Sequence, residues 1–224
     1  MPPVRIRMWG GAEARRAYSS SMRTRGRLPL LRKVTFGLAL LPVPDDPQDP
    51  FSGPALKNFR SRYRRAQKIG YTFAAFDGPA QLKAVLDIHK SAPERQNLPM
   101  DAAYLDAAKV GSYLKFSRSL YGVFDGEGVL RAYCHWPVAG DVAIVQRIIG
   151  DRRLLRDGIM YFLIGKMALH FAQERKRAGY PCWMGYGSYL AGTTQMRVFK
   201  KECGFRPHRV ICEWIEQAPA GYLQ

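Results

Sequence analysis

Six basic side chains occur within the fifteen residues 56–70, and no acidic residue lies among them. Guanidinium and ammonium groups at this density are suited to pairing with a polyanion such as a nucleic acid or an anionic membrane surface. A solvated helix face is the alternative interpretation, but such a face usually interleaves acids with bases. The absence of acids favours an external polyanion. The six candidate side chains are Lys57, Arg60, Arg62, Arg64, Arg65 and Lys68.

The composition of the whole chain supports an anionic partner. Its 224 residues include 35 Lys and Arg against 18 Asp and Glu, which gives a formal net charge of +17. With 47% hydrophobic residues, the chain can also bury a sizeable core. No run approaches the eighteen or more apolar residues of a membrane span, and the N-terminus lacks the hydrophobic stretch of a signal peptide. We therefore expect a soluble, cytoplasmic, globular protein that binds nucleic acid, with anionic lipid as a weaker alternative.

Cysteine and histidine spacing does not indicate a metal. No two cysteines form a C-x-x-C pair, and no two histidines have the spacing of a ligand pair, so we expect reduced thiols and no metal site. The residues are Cys134, Cys182, Cys203, Cys212, His89, His135, His170 and His208.

Periodicity and turn residues predict the elements of the first hundred residues. Residues 1–27 are basic with few core residues, which is consistent with a mobile arm. Apolar residues in 56–70 recur at helical steps, and Gly70 has the position of a left-handed C-terminal cap. The other predicted elements are a strand within 33–43, a strand at 71–76, a helix that begins at Asp77 and Pro79, and a helical stretch with Asp101 as its N-cap.

The second half predicts an antiparallel meander followed by helices and strands. Three strand-like runs, 119–124, 129–138 and 141–150, are joined by short loops that contain glycine and are typical of hairpins. Next come a long helix over about 156–177 that ends at Gly179, a strand at 182–187, a short helix within 193–204 and a last strand at 209–215. We predict an α/β fold with one mixed, largely antiparallel sheet flanked by helices.

This order of elements resembles the GNAT acyltransferase fold, whose meander leads into a helix that holds the acyl donor. The closing "FKKECGF" (199–205), the basic "RYRRAQKIG" (62–70) and "HKSAPERQNL" (89–98) are similar to segments of the Fem-type aminoacyl-tRNA-dependent transferases of that superfamily. The resemblance covers about residues 28–215. It implies a GNAT-like domain at 28–224, with a basic N-terminal part at 28–100 and an acyl-donor core at 101–224. It also adds Lys200 and Lys201 to the candidate tRNA-binding residues.

The loop before the long helix distinguishes between acyl donors. Acetyl-CoA users of this fold usually show Gln/Arg-x-x-Gly-x-Gly/Ala, so that backbone N–H groups can hold a pyrophosphate. Here Gly158 matches the central glycine, but Leu155 and the bulky Met160 occupy the flanking positions. Arginine side chains that can pair with phosphates stand in the loop instead, which favours the 3′ end of an RNA. The candidate donor-binding residues are Gln146, Arg147, Arg152, Arg153, Arg156 and Gly158.

The resemblance implies transfer of an amino acid from tRNA to the amine of a small molecule or peptide, with no cofactor. The donor carbonyl would bind where the sheet splays between Gln146–Arg147 and the strand at 182–187, and an amine attacking an ester needs no strong general base. Candidate catalytic residues are His135, Tyr186, Ser188 and Tyr189. His135 has a structural alternative as a core or sheet histidine, and the two tyrosines have one as aromatic wall residues. Candidate acceptor-binding residues are His89, Arg95 and Asn97.

Two other functions fit the same residues. One is an acetyl-CoA-dependent N-acetyltransferase whose basic helix binds an anionic substrate. The other is a non-enzymatic RNA-binding module that keeps the fold without turnover. The sequence does not name the amino acid or the acceptor.

Overall fold

A computed structural model describes residues 2–21, 34–45, 51–95 and 98–218 of the chain. These residues divide into two compact units that each combine separate stretches of sequence. Unit 1 combines residues 1–52, 137–146 and 168–224, and unit 2 combines residues 53–136 and 147–167. Each unit thus joins stretches that are distant in the chain, and the parts 28–100 and 101–224 stay a prediction. The physical reason is long-range strand pairing, which joins the two ends of the chain.

Unit 1 is built on a six-stranded mixed sheet with the order β1-β12-β2-β11-β9-β8. The strands are β1 (Val4–Met8), β2 (Val34–Pro42), β8 (Val138–Ala139), β9 (Val142–Ile144), β11 (Trp183–Ser188) and β12 (Arg206–Trp214). β1 runs parallel to β12, and β9 runs parallel to β11, whereas the remaining pairs are antiparallel. Two helices of this unit are α1 (Ala12–Ser21) and α7 (Thr194–Glu202).

Unit 2 is built on an antiparallel sheet with the order β10-β7-β6-β3. Its strands are β3 (Thr72–Ala75), β6 (Leu120–Phe124), β7 (Leu130–His135) and β10 (Arg147–Gly150), and a small ladder joins β4 (Glu94–Arg95) to β5 (Leu98–Pro99). Its helices are α2 (Lys57–Ile69), α3 (Leu82–Lys90), α4 (Ala102–Leu105) and α5 (Ala107–Phe116). The long helix α6 (Ile159–Ala178) begins in unit 2.

Each unit has its own apolar core, and the alternation along its strands explains which residues enter it. In unit 1, Ile6 and Met8 of β1 pack with Leu38 and Leu40 of β2. In unit 2, apolar residues of α3 and α5 cover one face of the sheet. That cluster comprises Val85, Ile88, Val110, Leu114, Leu120, Leu130, Tyr133 and Ile149.

The α/β class and the mixed, largely antiparallel pairing are confirmed, but the single predicted sheet is two hydrogen-bonded sheets. The runs 129–138 and 141–150 each contribute one strand to each sheet. β9 pairs with β11, whereas β10 pairs with β7. Hydrophobic pattern alone does not show this division, because both halves of each run are apolar.

Residues 1–27 differ from the expected arm. Ile6 and Met8 are buried, because β1 adds a parallel strand to β12 and alternates its side chains toward the core. Ala14 and Ala17 of α1 are buried as well. The basic residues hid this pattern, since they occupy the solvent-facing positions between the apolar ones. Residues 22–27 lie outside the described residues.

Helix ends follow the predicted local chemistry with three shifts. Gly70 caps α2 with φ +94°, and Asp101 accepts from the N–H of Ala103 at 2.8 Å. The helical stretch from Asp101 breaks at Asp106, whose carboxylate caps the second helix, and α3 is preceded by a short 3-10 turn at Pro79–Gln81. The long helix begins at Ile159 rather than near 156, after the 3-10 turns of Arg152–Asp157.

Candidate functional site

Helix α2 presents the predicted cations to solvent. Phe59 and Ala66 are buried on its inner side, which leaves the basic side chains on the outer faces. Arg60 is half-buried and donates to the Gly53 carbonyl, whereas the other five cations are exposed. Arg65 lies 3.8 Å from the Asp157 carboxylate. Four cations therefore project from α2 without an ion pair to a described carboxylate: Lys57, Arg62, Arg64 and Lys68.

The donor loop is held to α2 by shared contacts. Asp157, which ends the 3-10 turns, accepts from the Tyr71 hydroxyl at 3.2 Å as well as facing Arg65. Burial, followed by the nearby charge of Asp157, raises the pKa of Tyr71 to about 12, so the phenol stays protonated as the donor. The guanidinium of Arg62 lies 5.2 Å from the centre of the Tyr161 ring in the first turn of α6.

Only part of the predicted arginine cluster is free. Asp151 is buried and pairs with Arg153 through contacts of 2.9 and 2.6 Å, which hold the pKa of that carboxyl below its usual value against the effect of burial. Arg152 and Arg156 are exposed and have no ion pair with a described carboxylate. These two side chains could meet a phosphate, whereas the Arg153 guanidinium is held by Asp151, the carboxylate that caps the loop.

Gly158 lies against the backbone of α2. Its φ of +86° favours glycine, and a Cβ at this position would lie 2.9 Å from the carbonyl carbon of Arg62. Two aromatic pairs also join α2 to α6: Tyr63 stacks on Phe162 with 5.3 Å between ring centres, and Phe59 contacts Tyr161 edge-on at 5.9 Å. The backbone at the start of α6 is therefore covered by a second helix, where a pyrophosphate would need open N–H groups.

A buried polar network occupies the helix-covered face of the unit 2 sheet. His89 is fully buried; its Nδ1 lies 2.6 Å from the Tyr104 carbonyl and its Nε2 lies 2.7 Å from the Tyr133 hydroxyl. Because a carbonyl only accepts, Nδ1 carries the proton and Nε2 accepts from Tyr133. Burial lowers the pKa of His89 to about 4, and the cations Arg147 and Arg95 act in the same direction. His89 is therefore a neutral structural link at pH 7.

Two arginines surround Tyr104 beside this network. Arg95 donates to the Tyr104 hydroxyl at 2.9 Å and to the Ile148 carbonyl at 3.3 Å. The guanidinium of Arg147 lies 4.3 Å from the centre of the Tyr104 ring and 3.7 Å from that of Tyr113. Its Nη1 is buried without a hydrogen-bond partner among the described groups. A buried donor left unsatisfied costs about 1–3 kcal/mol, and more when it is charged.

Strand register brings these residues together. Arg147 of β10 pairs directly with His135 of β7, and Tyr133 lies two residues before His135 on the same face. His135 Nδ1 and the Tyr113 hydroxyl are hydrogen-bonded at 2.6 Å. The structure thus unites four predicted residues that had been assigned to three roles: His89 and Arg95 (acceptor), His135 (catalysis) and Arg147 (donor).

A second set of predicted residues meets in unit 1. Lys200 is only 5% exposed; its Nζ donates to the Ser188 carbonyl at 2.7 Å and lies 4.7 Å from the centre of the Tyr186 ring. Burial lowers the pKa of Lys200 to about 8. Tyr186 packs edge-on against Phe205 at 5.5 Å. Ser188 Oγ accepts from the N–H of Ala191 at 3.1 Å. Lys200 is thus enclosed within this unit rather than exposed as a phosphate-binding residue would be.

The remaining predicted residues lie elsewhere in their units. The Tyr189 N–H donates to the Gly37 carbonyl at 2.6 Å, which ends the pairing of β11 with β2. Gln146 Oε1 accepts from Ser20 Oγ at 2.8 Å in unit 1. Lys201 is exposed at the end of α7. Asn97 lies outside the described residues.

Sequence reasoning missed three tyrosines, Tyr104, Tyr113 and Tyr133. Each contributes a ring or hydroxyl to the arginine and histidine cluster of unit 2. In the sequence, Tyr133 alternates with His135 along β7, and Tyr104 and Tyr113 follow Asp101 at helical positions. Ordinary core aromatic residues show the same pattern.

The described part of the chain contains neither a metal-binding cluster nor a membrane-spanning helix. Within it, no three His, Cys, Asp or Glu side chains are placed to hold a metal ion, and no helix is long and apolar enough to span a membrane. All four cysteines are free thiols; Cys134, Cys203 and Cys212 are buried, and Cys182 is half-buried.

These elements define a GNAT-like fold, in which an antiparallel meander leads into a long helix and a further strand, helix and strand. No family model matches the chain, and no curated protein matches its sequence. Solved structures do match the fold. The structure of L-PGS from Bacillus licheniformis aligns with a TM-score of 0.54 and 16% identity, over 83% of this chain and 64% of that one.

FemX is a second structural neighbour, with a TM-score of 0.59 and 12% identity over 86% of this chain and 63% of FemX. The chain therefore spans less than two thirds of both proteins. At these identities the likeness shows the fold alone. It confirms the predicted resemblance to the GNAT fold, with a Fem protein among its neighbours.

Proposed function

We propose that the protein transfers an amino acid from an aminoacyl-tRNA to the amine of a small-molecule or peptide acceptor. The observation that carries this proposal is the contact of α2 with Gly158. The helix start that would receive the pyrophosphate of CoA is covered by a helix whose outer side carries four cations that form no ion pair with a described carboxylate. A polyanionic donor fits that surface better than a dinucleotide-sized one.

The chemistry requires little from a general base. The acceptor amine attacks the ester carbonyl, the new C–N bond forms, and the bond from the carbonyl carbon to the terminal ribose oxygen breaks. That oxygen takes up a proton and the amine nitrogen loses one, so tRNA leaves with a free hydroxyl group. Holding the two reactants together supplies much of the acceleration.

The decisive experiment offers two donors in parallel: bulk tRNA charged with labelled amino acids, and labelled acetyl-CoA. Each donor is combined with a panel of small amines, and binding of uncharged tRNA and CoA is titrated. Acceptor-dependent loss of label from tRNA, with no CoA binding, is the expected result. Tight CoA binding with acetyl transfer would replace the proposal by the acetyltransferase alternative, in which Arg152 and Arg156 hold the pyrophosphate. Binding of tRNA with no reaction from either donor would leave an RNA-binding module.

The role of α2 is tested by reversing its charge. Arg64→Glu combined with Lys68→Glu should weaken tRNA binding by at least about tenfold, because two phosphate contacts become repulsive. A matched control makes the same charge change at exposed cations of two other helices, Lys115→Glu with Lys176→Glu. Equal loss in both double variants would mean that only total charge matters, and α2 would then be an ordinary solvated face.

A further inference from the structure

The guanidinium of Arg147 is held more tightly than a surface arginine. The rings of Tyr104 and Tyr113 lie within 4.3 and 3.7 Å of its carbon, which leaves only the edge of the guanidinium plane for other partners. That edge is where a guanidinium donates its hydrogen bonds. The protein thus orients this cation while Nη1, one of its donors, has no acceptor among the described groups.

No acid of the described chain neutralises this cation. Neither Arg147 nor Arg95 forms an ion pair with a described carboxylate, and Arg147 Nη1 is buried without an acceptor. In the same unit, by contrast, Arg131 lies 2.6 Å from Asp125 and Arg153 lies 2.6 Å from Asp151. Unit 2 therefore pairs its structural arginines and leaves two arginines around Tyr104 for another acceptor.

The surrounding network holds the cluster rigid. His89 links the Tyr104 backbone to the Tyr133 hydroxyl, and Arg95 is fixed by the Tyr104 hydroxyl and the Ile148 carbonyl. His135, the strand partner of Arg147, fixes the Tyr113 hydroxyl. Each ring that contacts Arg147 is thus hydrogen-bonded on its far side. Preorganised donors of this kind bind a small planar or tetrahedral anion at low entropic cost.

We propose that Arg147 and Arg95, with Tyr104 and Tyr113, bind a small oxyanion, a carboxylate or a phosphate, that belongs to the acceptor substrate. The acceptor is then an amine that also carries an anionic group, rather than a neutral or cationic amine. The identity of the ligand as an acceptor rests on the proposed transfer reaction; the oxyanion site itself does not.

The four histidines provide a direct test of binding. His89 and His135 belong to the cluster, whereas His170 and His208 lie in unit 1. The full chain, labelled with [15N]histidine, is titrated with sodium acetate or sodium phosphate against sodium chloride at equal ionic strength. We expect saturable shifts of the His89 and His135 signals, with His170 and His208 unchanged. Saturation at lower acetate than phosphate identifies a carboxylate site, and the reverse order identifies a phosphate site.

Variants make the test specific to the guanidinium. Arg147→Gln should weaken the response by at least about tenfold, and Arg147→Lys should weaken it less, because lysine keeps the charge but loses the fork. Lys115→Gln, at an exposed cation of the same unit, should leave the His89 and His135 response unchanged. Circular dichroism and urea denaturation report whether each variant is folded. Equal shifts of all four histidines, no shifts, or an undiminished response in folded Arg147→Gln would overturn the proposal.

A transfer assay separates this site from the proposed function. Charged tRNA is combined with β-alanine, O-phosphoethanolamine or neutral ethanolamine at equal concentration. One of the anionic amines should discharge tRNA at least about tenfold faster than ethanolamine, and Arg147→Gln should remove that preference mainly through KM. Anion binding without discharge by any amine would support the site and reject the transferase. Discharge at equal rates by all three amines would support the transferase and reject the site as its acceptor pocket.

Discussion

The exposed cations of α2 and the enclosed arginines of unit 2 share a charge but differ in their surroundings. Lys57, Arg64 and Lys68 project into solvent, where water screens each of them. Arg147 lies between two tyrosine rings with a buried nitrogen. Under the proposed function, the cations on α2 act by number and follow a flexible polyanion, whereas Arg147 acts by geometry and suits one small group.

This difference separates two tasks that a transferase must perform. Binding a long anionic donor needs a positive electrostatic field along which the donor can slide. Such binding weakens as salt is added. Holding a small acceptor needs fixed donors in a partly dry place, where each hydrogen bond counts more. The same residue type serves both tasks because its surroundings, rather than its charge, set its energy.

Salt should separate the two regions most strongly. If four cations of α2 contact phosphates, raising monovalent salt from about 50 to about 200 mM should weaken tRNA binding roughly fiftyfold, since the slope is about −0.7 per contact for single strands. Binding of acetate or phosphate at Arg147, followed by histidine NMR, should change by less than about threefold. A salt response of equal size at both places would remove the distinction between them.

The stability of the network around Arg147 should depend on pH. The pKa of His89 is about 4 in the fold, below its value near 6.5 in the unfolded chain, so the unfolded state binds the proton more readily. The stabilising contribution is therefore complete above about pH 6.5 and is lost as the pH falls toward 4. Between pH 7 and pH 5 the free energy of unfolding should fall by about 2 kcal/mol from this residue.

Urea denaturation of the wild type and His89→Gln at both pH values measures this contribution. The difference between the two proteins isolates His89, because burial also lowers the pKa values of His170 and His208. A wild-type decrease no larger than that of His89→Gln would show that His89 is not held neutral by its surroundings.

The smallest effect concerns the stability of α2. Arg64 follows Arg60 and precedes Lys68 at four-residue spacing, so Arg64→Met removes two repulsive pairs. The free energy of unfolding should stay constant or rise by about 0.2–0.5 kcal/mol per pair, as measured by urea denaturation. A loss of more than about 1 kcal/mol would mean that Arg64 has a structural role and that α2 is not a surface reserved for a ligand.

Local sequence chemistry predicted α2 and the capped helix ends well. The apolar steps Phe59, Tyr63 and Ala66 and the left-handed Gly70 act over a few residues, so a single window of sequence contains the required information. The positive charge of α2 could also be predicted from the sequence, because the exposure of its side chains depends little on distant residues. Lys200 shows the limit of this reasoning: its helix was predicted, but its burial beside Ser188 and Tyr186 was not.

The sequence by itself determined the elements, the GNAT-like order and the basic helix, because periodicity, caps and charge density are local properties. Only the tertiary structure decided which strand joins which sheet, that α2 covers Gly158, and that Arg147 meets Tyr104 and Tyr113. These contacts join residues far apart in the chain, and packing and strand register settle them through many weak interactions acting together. The candidate acceptor site therefore depends on the tertiary structure, whereas the candidate tRNA surface can be predicted from residues 56–70 alone.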